Sequence, residues 1–246
     1  MPSERQKIET VSPWWGEHIH RYNEVSKRTS GNETILDTAC GSGFGTSLLA
    51  EKTTADVYGG DISEEAIVLC KKNWNKENLI YKQMDATKLN FDDNTFDIVV
   101  SFETIEHTTE YKAMLKELLR VTKPNGVLYI STPNFIINSP SGVVTNPYHT
   151  QEWTRLELDN ILTSVFSQFK LFGQKYSRYN QKSFGKGVEN LLYKRGVRKI
   201  PIPIQDLIMK SLIGKPMYPL SEDFELTSNI KEIEDCKTFF CICKKV

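Results

Sequence analysis

The sequence predicts an α/β fold, a doubly wound and mostly parallel sheet with helices on both faces. Three observations carry that prediction. From residue 34 onward, apolar runs of strand length alternate with helical runs, separated by turn residues. A glycine-rich turn joins the first strand to the first helix of that series, in Asp37-Thr-Ala-Cys-Gly-Ser-Gly-Phe-Gly45. At 246 residues, the chain can bury the core of one such domain and carry an appended subdomain.

The elements follow in order. Residues 1–33 precede the alternation and are read as N-terminal cover helices, with the run Trp14-Trp-Gly-Glu-His-Ile-His-Arg-Tyr22 packing its aromatics on the core. Strands are expected at Thr34 to Asp37, Val57 to Asp61, Leu79 to Gln83, Phe96 to Phe102 and Val127 to Thr132. Helices between them are expected at Gly45 to Lys52, at Glu64 to Asn75 behind a Ser63 N-cap, and at Glu110 to Val121. The last of these carries Leu115, Leu118, Leu119 and Val121 near helical spacing, and Pro124-Asn-Gly126 stops it. A helix at Arg155 to Val165 and strands at Lys170 to Tyr176 and Thr238 to Lys244 complete the core, 34–176 with 237–246. The intervening 177–236, about sixty residues, is more than a connection needs and reads as an inserted cap or interaction subdomain.

Composition removes several classes of function. Thirty-one basic residues balance thirty-one acidic ones, so a global electrostatic case for nucleic acid is missing: no DNA partner is expected, and RNA is disfavoured. No apolar run reaches the roughly 20 residues of a membrane span, and the polar start Met1 to Glu9 lacks a signal-peptide core, which gives the cytoplasm as the expected address. The five cysteines are expected to be reduced and mostly buried, with Cys241 and Cys243 on one strand face. Within the insertion, 182–215 carries eight basic residues against Glu189 and Asp206, interleaved with apolar side chains. It reads either as a cap with a solvated basic face or as a peripheral membrane contact.

The acid before the glycine turn narrows the ligand. A glycine turn opening a helix offers free N–H groups and close backbone approach, which in most nucleotide sites serve phosphate. Asp37 would repel phosphate at close range and would attract a cation. S-adenosylmethionine carries a sulfonium and an ammonium, no phosphate, and an adenosine. Asp61, about 20 residues past the turn, suits the ribose hydroxyls. Ile62 would then lie on the adenine, with Met84 packed on the ring and Asp85 accepting from its amino group. Any one acid could be a helix cap. Three at the ends of successive strands converge on the ligand edge of an open α/β sheet.

On these residues the chain resembles the class I S-adenosylmethionine-dependent methyltransferases, over about residues 14 to 176 and the last strand. The match runs through Asp37 to Gly45, Asp61, Asp85, Asn94 to Ser101 and Lys123-Pro-Asn-Gly126. The resemblance implies a Rossmann-like sheet of seven strands with an antiparallel last strand, and S-adenosylmethionine as cofactor. Its implied contacts are Tyr22, Asp37, Ala39, Gly41, Gly43, Asp61, Ile62, Met84, Asp85, Ala86 and Phe102. Ala39 departs from the family, which commonly has glycine there, without an expected loss of cofactor binding.

Directly after the fourth strand stands Phe102-Glu-Thr-Ile-Glu-His-Thr108. A helical turn there would put Glu103, Glu106 and His107 on one face. His149, on the loop after the fifth strand, opens on the same sheet edge. Two carboxylates and two imidazoles suit Mg²⁺ or another divalent metal, which would hold neighbouring hydroxyls and lower the pKa of one. The alternative is His107 alone as general base, with the glutamates making structural hydrogen bonds. The metal arrangement is similar to that of ubiquinone-pathway O-methyltransferases and small-RNA 2′-O-methyltransferases. The leading helix, with Glu17, His18, Arg21 and Tyr22 toward the cofactor or substrate, and the Ser131-Thr-Pro-Asn134 and Asn146-Pro-Tyr-His149 turns are similar to those of bacterial methyltransferases of surface-glycan synthesis. These resemblances imply an O-methyltransferase acting on a sugar or glycan precursor. A catechol or quinone-precursor enzyme, an RNA 2′-O-methyltransferase and a non-catalytic cofactor-binding subunit stand as alternatives.

Overall fold

The computed structural model describes residues 15–177, 201–216 and 218–246. The expectations placed on Trp14 and on the basic stretch from Lys182 to Lys199 fall outside them. The sheet is built from β1 (Ile35–Thr38), β2 (Val57–Asp61), β3 (Leu79–Gln83), β4 (Phe96–Phe102), β5 (Thr122–Pro133), β6 (Gln168–Tyr176), β7 (Phe224–Thr227) and β8 (Thr238–Lys244). Its order is β3-β2-β1-β4-β5-β8-β6-β7. β1 to β5 pair in parallel, and β8 is antiparallel to both β5 and β6. Among the described residues the sheet thus has eight strands, one more than the sequence predicts. The addition is β7, a four-residue strand at the end of the sheet order whose side chains are mostly half-exposed, so it has no apolar run to announce it.

Successive residues of each strand go to opposite faces, and the core divides accordingly. Leu36, Val99, Ile130 and Cys241 pack on one face with α4 (Tyr111–Val121) and, after the short α5 (Phe135–Asn138), α6 (Arg155–Val165), through Met114, Leu115, Leu118, Leu158 and Leu162. Their neighbours Ile35, Val100, Tyr129 and Phe240 pack on the other face with α1 (Trp15–Ser26) and α2 (Phe44–Ala50), through Tyr22, Val25 and Leu49. Cys241 and Cys243 share a face, and all five cysteines are free thiols and buried. α3 (Glu64–Asn73) starts at Ser63, whose hydroxyl accepts the Ala66 N–H. α6 carries a capping box in which Thr154 and Glu157 satisfy each other's backbone N–H.

Two features differ from the sequence reading. The Lys123-Pro-Asn-Gly126 turn lies inside β5: Thr122 already pairs with Phe96, the register then shifts, and Val127 pairs with Ile98. Asn125, at φ 65°, makes the excursion possible. The chain also forms two compact units among the described residues, Arg21–Lys175 with Leu226–Val246, and residues 15–20 with Tyr176–Glu225. Residues 226–236, which include α8 (Ile230–Glu234), therefore fall with the first unit. In the second unit, α7 (Ile202–Ile213) closes at Gly214 in the left-handed conformation, and Lys215 pairs with Asp223 at 3.1 Å.

Candidate functional site

The glycine turn leaves the tip of β1 and enters α2 through Gly43, whose φ is 76°. A side chain at Gly43 would also meet Cys70 Sγ at 2.7 Å and Tyr81 Oη at 2.8 Å. The turn is clamped from α3 and β3: the Tyr81 hydroxyl donates to the Gly43 carbonyl at 2.6 Å, and the Cys70 thiol to that of Gly41 at 3.3 Å. Just beyond α3, the Trp74 indole N–H donates to the Ser42 carbonyl at 2.9 Å. None of these three residues belongs to the motif. Ala39 sits at φ 55°, a left-handed conformation that an L side chain adopts at a cost of about 1–2 kcal/mol, so the position is built for the glycine it lacks.

Asp37 is buried under this turn. It accepts from the Thr46 hydroxyl at 2.7 Å and from the Tyr22 hydroxyl at 3.2 Å. Burial pushes its pKa up to about 7; the Thr46 and Tyr22 hydrogen bonds oppose the rise and the nearby Asp61 charge adds to it. Tyr22 lies edge-on to Phe44 and Phe102, with ring centres at 5.7 and 5.1 Å. Its ring fills the space a Cβ on Gly45 would need, with the nearest ring carbon at 2.0 Å. Arg21, by contrast, is fully buried and donates to the Gln174 side chain at 2.7 Å.

Asp61 accepts the Gly41 N–H at 3.0 Å and the Ser63 N–H at 2.9 Å, so one carboxylate ties the glycine turn to the start of α3. Ile62 beside it is 67% exposed. Met84 is half-buried and lies against Gly60, where a Cβ would come within 2.1 Å of its sulfur; Ala86 is also half-buried. Asp85 is exposed, and its Oδ1 accepts both the backbone N–H and the hydroxyl of Thr87. Those bonds lower its pKa, the Thr87 hydroxyl first, and give it the local turn-capping role that acids at strand ends commonly have.

The second cluster stands where the loops after β4 and β5 meet. The expected helical turn bringing Glu103, Glu106 and His107 onto one face is absent. Glu103 has φ 49°, and a single 3₁₀ turn covers only Ile105–His107. Glu103 is directed to β5 instead, accepting from the Ser131 hydroxyl at 2.6 Å. Among the described residues, Glu106, His107 and His149 do come together, with one candidate ligand atom of each within 4.8 Å of the others. Glu103 is not part of that group.

Backbone bonds hold the two loops in place. The Glu106 carbonyl accepts from the Thr150 N–H at 2.8 Å and from its hydroxyl at 2.9 Å, while the Gln151 side chain donates to the Thr108 carbonyl at 2.7 Å. The two imidazoles meet edge to face with centres 4.9 Å apart. His107 Nδ1 is 2.9 Å from the Tyr148 carbonyl, which can only accept, so Nδ1 carries the proton and the neutral ring presents an unprotonated Nε2. The buried Glu106 carboxylate lies 3.9 Å from that Nε2 and accepts from the Thr132 hydroxyl at 2.9 Å.

Sequence reasoning missed Glu152. It is buried, stands 2.6 Å from His149 Nδ1 and accepts from the Ser139 hydroxyl at 2.8 Å. Asn146 completes the ring's setting. Its oxygen accepts the Tyr148 N–H, which orients its amide group to donate to His149 Nε2 at 2.9 Å. The available signal was the spacing of Asn146, His149 and Glu152, three residues apart in one short loop.

Residues 36–130 match the methyltransferase domain family. The chain is 31% identical over 153 residues to "Probable S-adenosylmethionine-dependent methyltransferase" of Mycolicibacterium smegmatis, covering 62% of this chain and 58% of that one. It is 32% identical over 111 residues to phthiotriol/phenolphthiotriol dimycocerosates methyltransferase of Mycobacterium tuberculosis, covering 44% and 41%. The chain thus spans less than two thirds of the length of these curated relatives. An S-adenosylmethionine-dependent methyltransferase of Thermotoga maritima shares the fold with a TM-score of 0.60 at 15% identity, over 93% of this chain and 89% of that one. The [4+2]-cyclase SpnF shares it with a TM-score of 0.59 at 16% identity, over 98% and 85%, so the fold by itself does not name a reaction. The methyltransferase-domain match thus falls on residues 36–130, the part of the chain that holds the acid-led glycine turn and the parallel strands of the sheet.

Proposed function

We propose that this chain transfers the methyl group of S-adenosylmethionine to a hydroxyl of a sugar unit, in a glycan or a lipid- or nucleotide-linked glycan precursor. The observation that carries the reading is His107, whose Nδ1–H donates to the Tyr148 carbonyl and leaves Nε2 as a base on an exposed residue. In the step, the acceptor oxygen attacks the methyl carbon, the carbon–sulfur bond breaks, S-adenosylhomocysteine leaves and the hydroxyl proton passes to Nε2. Glu106, 3.9 Å away, stabilises the imidazolium that forms. Asp37 attracts the cationic end of the cofactor, and Asp61 and Met84 serve its adenosine. The sugar acceptor rests on the likeness of the leading helix and loops to glycan-associated enzymes, and similarity to the phthiotriol/phenolphthiotriol dimycocerosates methyltransferase is in line with a lipid-linked one.

A second reading adds a divalent ion, favoured by the convergence of Glu106, His107 and His149 within 4.8 Å. Glu106 and His107 fit such an ion. His149 fits only if Asn146 leaves its Nε2, because Glu152 faces the other nitrogen. An ion held there would hold two neighbouring hydroxyls and lower the pKa of one.

One assay separates these readings: transfer of labelled methyl to a panel of sugars, catechols and RNA 3′ ends, with and without strong chelator. Labelled sugar with chelator-resistant turnover supports the first reading, and chelator-sensitive turnover on a diol supports the second. His107→Gln is expected to lower kcat about 100-fold or more while cofactor affinity persists. Transfer to nitrogen or carbon acceptors alone would overturn the O-methyltransferase reading.

A further inference from the structure

We propose that the outward face of α7 is a docking surface for an anionic lipid bilayer. Ile204, Leu207, Ile208, Ser211 and Leu212 follow the spacing of a single helical face. That face is turned to solvent: Ile204 is 49%, Leu207 70% and Leu212 55% exposed. Among its described side chains, those that are buried are Gln205 and Met209, at 1% and 0%. The usual arrangement of an amphipathic helix is thus displaced, with aliphatic side chains outward where a surface helix carries polar ones. Isolated exposed leucines need no explanation, but three large aliphatic side chains on one face of a 12-residue helix do.

Charge selects the occupant. Lys210 is exposed on the helix, and Lys194, Arg195, Arg198 and Lys199 precede it in sequence. The whole chain is formally neutral, so the eight basic and two acidic residues of 182–215 form a local cationic stretch. An apolar strip on a helix that carries Lys210 and follows a basic run in sequence matches the boundary between acyl chains and anionic headgroups. No helix among the described residues is long and apolar enough to cross a membrane, so the mode is interfacial. This inference does not depend on which hydroxyl is methylated.

The test uses the full chain with sucrose-loaded vesicles of phosphatidylcholine alone or of phosphatidylcholine and phosphatidylglycerol at 7:3. Binding to the anionic vesicles is expected to be at least tenfold tighter than to neutral ones and to weaken in 0.5 M salt. The double variant Leu207→Glu and Leu212→Glu should lose at least tenfold, with unchanged thermal unfolding and cofactor affinity, since both positions are on the surface. Equal binding by parent and variant, or none by the parent, would overturn the proposal. So would a lipid-free dimer abolished by the same pair without vesicle binding, which would assign the face to a second copy.

Discussion

Asp37 should make cofactor affinity depend on pH near neutrality, where an ordinary surface aspartate is fully ionised and would give no such dependence. Burial keeps its proton on until about pH 7 in the cofactor-free protein. A cationic cofactor prefers the carboxylate, so binding below that pH must expel a proton. With a pKa of about 7, affinity should fall about tenfold per pH unit below neutrality. The loss is then roughly tenfold at pH 6 relative to pH 8, about 1.4 kcal/mol, with about 0.9 proton released per cofactor bound at pH 6. Titration calorimetry at several pH values, in two buffers of different ionisation enthalpy, reads both quantities. The stability sign agrees: the folded state binds more protons than the unfolded chain between about pH 4 and 7, so this group's contribution declines as pH rises through that window. Asp37→Asn should abolish the proton release and flatten the pH dependence. It should also cost at least tenfold in affinity at pH 8, a modest part of the roughly 4 kcal/mol that opposite charges 4 Å apart gain at an effective dielectric near 20. Affinity that varies less than twofold between pH 6 and 8, or an Asn variant with the parent's slope, would refute the assignment of Asp37 as the cofactor's counter-charge.

Three further outcomes follow from the geometry. Glu152→Ala should lower kcat by tenfold or more through misplacement of His149, with cofactor affinity unchanged, and Glu152→Gln should recover part of the loss because its oxygen can still accept from Nδ1; a purely structural role would leave the pH profile of both variants unshifted. Ala39→Gly should stabilise the protein, since relief of about 1–2 kcal/mol of left-handed strain exceeds the 0.5–1 kcal/mol entropy cost of glycine, and thermal unfolding should rise by about 1–4 °C. Glu106→Gln should reduce turnover while hydrogen exchange at Thr150 and Gln151 stays slow, because the Glu106 carbonyl rather than its carboxylate holds the His149 loop.

The convergence of Asp37 and Asp61 on one sheet edge was legible because sheet register determines it. β1 and β2 run in parallel with Asp37 opposite Gly59, and Asp61 lies two residues further along β2, so both acids reach the same edge from local sequence alone. That logic alone does not assign Asp85. A strand-end acid that caps Thr87 and one that binds adenine have the same sequence signature. β7 was not legible because a four-residue edge strand carries no alternation to read. The clamps from Cys70, Trp74 and Tyr81 escaped for another reason: each lies about 30 to 40 residues from the turn it supports, with no periodicity linking the two.

The acceptor half divides along the same physical line. Glu106, His107 and His149 were identifiable by residue type and by the rule that loops after adjacent parallel strands open on one edge. Glu103 was misplaced because i, i+3, i+4 spacing has meaning only inside a helix, and the chain leaves β4 through a left-handed residue that turns Glu103 toward Ser131. Glu152 could be found only from the loop's path, since its role depends on which nitrogen of His149 it meets. The same contacts decide the chemistry. Tyr148 sets the His107 tautomer, whereas Asn146 and Glu152 engage both nitrogens of His149. A base needs one unprotonated nitrogen, and the Tyr148 contact at Nδ1 makes that nitrogen Nε2 in His107. A three-ligand metal centre needs Asn146 to move. The proposed proton transfer through His107 is therefore compatible with these contacts as they stand, whereas the metal-assisted reading first has to displace Asn146 from His149.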